Sequence, residues 1–184
     1  MSRSEDMLAR ARADDAVAAY ERLTAADMTE VVGQETAKRA LQIAAVGNHT
    51  VRLVGDALAI RHLKSVYDTI GGDIFSFVDR GADIVVIVPP TAVTDLLFAP
   101  PTDPSATMRE RVERGRKVRP TLLNNSGGPA LAANAEELLR LACERGMQRE
   151  QAVKVGLSIA ALEGRPYVER LHVAEALGYQ KGDD

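Results

Sequence analysis

The sequence predicts an α/β unit followed by an all-α unit, and three observations carry that reading. Two short apolar runs, TVRLVG (residues 50–55) and ADIVVIVPP (82–90), flank a helical pattern, which gives strand, helix, strand. The second run holds five consecutive β-branched residues, Ile84 to Val88, as expected of a parallel strand buried on both faces. After Pro89 no strand pattern recurs, and every later periodic segment has helical spacing.

The elements follow in order. SEDMLARARADDAVAAYERL (4–23) is rich in helix formers, with Ser4 as a candidate cap. TAADMTEVVGQ is an irregular link. QETAKRALQIAAVGN (34–48) reads as a second helix with Ala37, Leu41, Ala44 and Ala45 on one face and Gly47–Asn48 as its stop. ALAIRHLKSVYDTIGG (57–72) is a helix with Leu63, Val66, Tyr67 and Ile70 inward and Gly71–Gly72 as terminator. PPTAVTDLLFAPPTDPS (89–105) reads as a proline-rich linker. SATMRERVERGRKV is a helix, and TLLNNSGGPALAAN a loop. NAEELLRLACERG carries a capping box, Asn134 with Glu137, and ends at Gly146. QREQAVKVGLSIAALEG is apolar around much of its circumference, which places it at the centre of a bundle. YVERLHVAEALGY closes the fold, and QKGDD is expected to be a disordered tail.

Composition narrows the function. The chain has 184 residues, 46% hydrophobic and 27% charged, with 4% aromatic and no Trp, so Ala, Leu, Val and Ile must build the core. A net charge of -3 gives no global attraction to nucleic acid or anionic membrane. No apolar run reaches the roughly 18 residues of a membrane span, and the start has no signal core, so a cytoplasmic protein is expected. Cys143, the single cysteine, allows no internal disulfide and reads as a small core residue. His49, His62 and His172 lack ligand spacing, so no metal site is expected. The glycine pairs 71–72 and 127–128 read as turns. No nucleophile–base–orienter set appears.

Three longer strings point to a family: MTEVVGQETAKRALQIAAVGNH, FVDRGADIVVIVPPTAVTDLLFAPPTDPSATMRERVERGRKVR and QAVKVGLSIAALEGRPYVERLHVAEALGY. Together they resemble the magnesium-chelatase-like AAA+ ATPases, which include the ATPase subunit of magnesium chelatase and a competence-associated branch-migration helicase. The resemblance implies an N-terminal helical segment (1–30), a reduced AAA+ α/β core (31–98) and a helical lid-like domain (99–180). It also implies an arginine finger at Arg80, beside Asp79; the alternative is a surface arginine at a turn.

The departures from that family decide the expected activity. A phosphate loop needs G-x-x-x-x-G-K-[ST], so that backbone N–H groups, a lysine and a hydroxyl can hold phosphates and magnesium. Here the stretch from Gly55 reads GDALAIRH: Ile60 replaces the second glycine, Arg61 the lysine and His62 the hydroxyl, while Asp56 adds a negative charge. No acidic pair follows an apolar strand, and Leu157 stands where the resemblance implies a lid arginine. The expectation is a catalytically inactive relative without ATP or magnesium, acting by self-assembly or by docking on an active AAA+ ATPase. Two alternatives stay open. One is a DNA-binding accessory protein using Arg109, Arg111, Arg114, Arg116, Lys117 and Arg119, set against a solvated face self-paired through Glu110–Arg114 and Glu113–Lys117. The other is a divergent ATP binder.

Overall fold

The computed structural model describes residues 3–123 and 127–180, with side chains from Asp6 onward. The chain forms helix α1 (Arg3–Arg22), a 3-10 turn at Met28–Glu30, helix α2 (Glu35–Gly47), strand β1 (Val51–Gly55), helix α3 (Ala57–Ser65) and strand β2 (Ile84–Val88). Helices α4 (Val93–Phe98), α5 (Ser105–Val118), α6 (Ala133–Cys143), α7 (Arg149–Leu162) and α8 (Arg170–Gly178) follow. This is a small α/β unit with a larger helical part, and no further strand occurs among the described residues beyond single-residue bridges.

β1 and β2 pair in parallel, with Val51 opposite Ile84 and Gly55 opposite Val88. Ile84, Val86 and Val88 are buried, and α2 packs on β2. The expectation of burial on both faces fails at Ile87, which is 63% exposed. Val85, on the same face of β2, is 5% exposed, so among the described residues the cover of that face ends between the two.

α7 is the centre of the helical part, as its apolar circumference predicts. Eight of its residues, Ala152 and Val155 to Ala161, are buried, and it packs on α2, α5, α6 and α8. One hydrophobic cluster runs from Ala25 to Tyr179 and joins residues of α2, β2, α5 and α7. α5 approaches this centre through Gly115, where an added Cβ would lie 2.9 Å from Val46 Cγ2 and 3.3 Å from the Leu162 backbone. Arg39 of α2 bridges Glu163 (2.6 Å) and Glu175 (3.1 Å), tying α2 to the end of α7 and to α8.

Several boundaries differ from the sequence reading. The helix expected over 57–72 stops at Ser65 and gives way to a 3-10 turn, Asp68–Ile70, with Gly71 at φ +87°. The inward residues are still the expected ones, since Leu63, Val66, Tyr67 and Ile70 are all fully buried. Gly72 is required there because a Cβ would fall 2.3 Å from the Tyr67 ring. The expected linker contains α4, which fits between Pro89–Pro90 and Pro100–Pro101 because prolines bar helix only at and just before themselves. The Asn134–Glu137 capping box does not form. The N-cap of α6 lies two residues earlier, at Ala132, which has no side-chain cap. Its start is fixed by backbone pairing: Ala132 N donates to Val168 O (2.9 Å), and Val168 N to Ala130 O (2.8 Å). Ser4 lies inside α1, but its side chain is outside the described residues, as are Asn124–Ser126 of the expected loop and residues 181–184 of the expected tail.

Candidate functional site

The turn from β1 into α3 is the place to ask what a phosphate would meet. Gly55 adopts φ +135°, and a Cβ there would lie 2.1 Å from the Val88 carbonyl oxygen. Glycine therefore serves a backbone contact within the sheet, secured by Asp56 N donating to Val88 O (2.9 Å). Asp56 is the N-cap of α3, and its Oδ1 accepts from Ala59 N at 2.8 Å. A helix N-terminus attracts anions through its free N–H groups. Here the chain's own carboxylate takes that position.

The next two candidate residues turn to the N-terminal helix. Arg61 Nη2 donates to Glu21 O (2.7 Å), and His62 Nε2 to Leu23 O (2.9 Å). Both carbonyls lie at the C-terminal end of α1, where cations and N–H donors are favoured. His62 is fully buried and meets the Tyr20 ring edge-on at 4.5 Å. Because a carbonyl can only accept, Nε2 carries the proton. Burial holds His62 below its ordinary pKa, against the pull of the Leu23 carbonyl. Ser65 Oγ adds a bond to Ala25 O (2.9 Å). Asp56, Arg61 and His62 therefore do not form a cradle fitting a magnesium-bound triphosphate: the carboxylate caps the helix and the other two anchor α1.

The arginine-rich helix is also largely occupied. Arg109 donates to Thr69 O (2.7 Å) and Asp68 O (2.9 Å), and Arg116 to Ala45 O (2.9 Å) and Gly71 O (2.6 Å). Arg119 Nε donates to Ser158 Oγ at 3.1 Å, and Arg111 pairs with Asp103. The pairs expected at Glu110–Arg114 and Glu113–Lys117 are absent from the ion pairs of the described residues, and Arg109 and Arg116 are held by carbonyls of neighbouring elements. Arg109, Arg114, Arg116 and Lys117 are exposed, and of these Arg109 and Arg116 are already held by main-chain carbonyls. Arg80 is exposed in the bend before β2, with Gly81 beyond it at φ +65°. Gly55, Asp56, Arg61 and His62 share the β1–α3 connection, while Arg80 stands in the bend before β2.

The fold does assemble one constellation that sequence reading missed. His49 Nε2 lies 2.8 Å from Ser158 Oγ, and Nδ1 faces Asp83 Oδ2 at 3.7 Å. At 3.7 Å the Asp83 carboxylate is beyond hydrogen-bond reach, so Nδ1 is buried without a hydrogen-bond partner, and Ser158 Oγ also donates to Lys154 O (3.4 Å). A serine, an imidazole and a carboxylate thus stand in the order of a nucleophile, a base and an orienter, but the hydrogen bond that would orient the base is not made. Ser158 and His49 are fully buried, and Ser158 also accepts from Arg119. A nucleophile without access to substrate has no chemistry to perform, so the cluster is structural. Asp83 also binds Lys154 Nζ (2.9 Å) and Thr50 N (3.0 Å), while Gln151 Nε2 donates to the carbonyls of Ala82 (3.0 Å) and Asp83 (2.8 Å). The network clamps α7 to the α2–β1 turn. Residues 49, 83 and 158 share no local spacing; the one signal was a serine within the otherwise apolar stretch Val155–Ala161.

Gly47 makes room for this clamp. A Cβ at Gly47 would lie 2.1 Å from His49 Nε2 and 2.3 Å from Ser158 Oγ. Gly47→Ala is expected to cost about 2 kcal/mol: overpacking and a lost buried hydrogen bond outweigh the roughly 1 kcal/mol that alanine gains in a helix. Urea denaturation measures it, and a variant as stable as the parent would refute the clamp.

Comparison with known proteins bears on the same turn. Among the residues described, no helix is long and apolar enough to cross a membrane. No curated protein and no solved structure matches the chain. The family model for magnesium chelatase, subunit ChlI, matches residues 27–61, from the 3-10 turn through α2 and β1 to Arg61 in α3, and so supports a magnesium-chelatase-like relationship.

Proposed function

We propose that this chain is a non-hydrolysing, shortened relative of the magnesium-chelatase ATPase subunit that acts by association, with its own copies or by docking on an active ATPase of that family. The observation that carries this reading is the fate of the α3 N-terminus. Asp56 caps it, and Arg61 and His62, which stand in for the lysine and hydroxyl of a phosphate loop, hold the carbonyls of Glu21 and Leu23. A triphosphate would have to displace the cap, meet the repulsion of Asp56 and release α1. What a relative of this kind retains is the packing surface. The likeness over residues 27–61 supports a shared scaffold for that surface.

Thermal denaturation with ATP and magnesium separates this from a divergent ATP binder. A ligand at 100 times its dissociation constant would add about 2.7 kcal/mol of stability. The expected result is an unchanged melting temperature and no phosphate release. A saturable rise, lost on Arg61→Ala, would overturn the reading. Docking is tested by co-sedimentation with the ATPase subunit of a magnesium chelatase.

A further inference from the structure

We propose that a second copy of this chain pairs with the outer edge of β2, antiparallel and across a twofold axis at Ile87; the inference rests on the association proposed above and names its surface. The hydrogen bonds give the direction of each peptide group. Ile84 N donates to Thr50 O (3.0 Å) and Val88 O accepts from Asp56 N (2.9 Å), so the even-numbered residues of β2 face β1. Val85 faces the other way, its N–H donating to Tyr179 O at 3.0 Å. Ile87 shares the orientation of Val85 and has no backbone partner on that side among the described residues. Its side chain is 63% exposed.

The edge suits its own copy better than a foreign strand. A residue presenting both N–H and C=O outward can exchange both bonds with its twofold mate. A longer strand could not extend the ladder, because Pro89 and Pro90 have no N–H and Tyr179 already holds the Val85 N–H. A charge on a twofold axis meets its own sign, and residues away from the axis meet a different residue of the mate. The eleven residues Ile84–Thr94 contain no charged side chain, whereas exposed edges are commonly guarded by lysine or another charge. The chain then leads into α4, where Val93, Leu97 and Phe98 are 42%, 40% and 80% exposed and supply apolar surface beyond the strand. On the other edge of the sheet, Val78 N donates to Val51 O (3.0 Å) and blocks the start of β1. Pairing through one edge closes a dimer rather than seeding a filament.

Sedimentation equilibrium over a dilution series tests this. The expected result is a dimer, with Ile87→Lys raising its dissociation constant at least about tenfold by placing like charges on the axis. Ile87→Lys should melt as the parent monomer does, since the side chain is exposed. Leu171→Lys on α8, at a residue 76% exposed, should leave the dimer intact. A dimer that survives Ile87→Lys, or that Leu171→Lys also dissociates, refutes the edge while leaving association standing. A monomer at every concentration refutes the edge, and association then depends on the co-sedimentation with an active ATPase.

Discussion

Replacing Gly55 with alanine is expected to destabilise the chain by about 4 kcal/mol, the largest effect of any single methyl group considered. Two costs add. The backbone sits at φ +135°, a region L side chains rarely adopt, and the new Cβ would stand 2.1 Å from the Val88 carbonyl oxygen. That oxygen belongs to a strand, so no rotamer change relieves the contact. Relief requires β1 and β2 to separate at their C-terminal ends, which breaks the Asp56 N to Val88 O bond (2.9 Å) and shifts the Asp56 cap of α3. Urea denaturation monitored by circular dichroism reads the loss. A change below about 1 kcal/mol would mean that the glycine is dispensable for the turn. Nucleotide plays no part in this experiment, so it isolates the structural role of the glycine from any inherited one.

That distinction explains what could be read from the sequence. Periodicity found α2 and α7 and the inward residues Leu63, Val66, Tyr67 and Ile70, because burial of one face is a local pattern. Two consecutive apolar runs found the parallel pair. The sequence shows what is missing: GDALAIRH keeps the first glycine of a phosphate loop but has neither its second glycine nor its lysine and hydroxyl. What Arg61 and His62 do instead was not legible, since their partners Glu21 and Leu23 lie 40 and 39 residues away and are main-chain carbonyls, which every residue has. The same holds for Arg109 and Arg116. As sequence, they form a basic stripe; in the fold, their guanidiniums fasten the carbonyls of Asp68, Thr69, Ala45 and Gly71. The Asn134 capping box failed for a related reason, because long-range pairing of Ala130 and Ala132 with Val168 set the helix start and overrode the local preference.

Acidification from pH 7 to pH 4 is expected to remove about 3 kcal/mol of stability through His49 alone. Burial is the main cause: it penalises the imidazolium and holds the folded pKa down to about 4, against an ordinary value of 6.5. Asp83 draws a proton towards the ring, but Lys154 and Arg119 oppose it. Ser158 adds only a neutral hydroxyl at 2.8 Å. Between pH 6.5 and 4 the unfolded chain therefore takes up a proton that the folded chain refuses. Stability conferred by the neutral ring is complete above 6.5 and is lost as pH falls towards 4. His62, also held low by burial, acts in the same direction. So does Asp83, whose carboxylate is kept low by Lys154 and Thr50 despite its burial, although its contribution is lost at lower pH. Urea midpoints at half-unit steps of pH measure the slope. His49→Gln keeps a polar group near Ser158 but cannot titrate, so it should be less stable at pH 7 and clearly flatter below pH 6.5. A variant with the parental slope would remove His49 as the source. Parental stability at every pH would show that the clamp between α7 and the α2–β1 turn carries no energy, and with it the physical reason for a glycine at position 47.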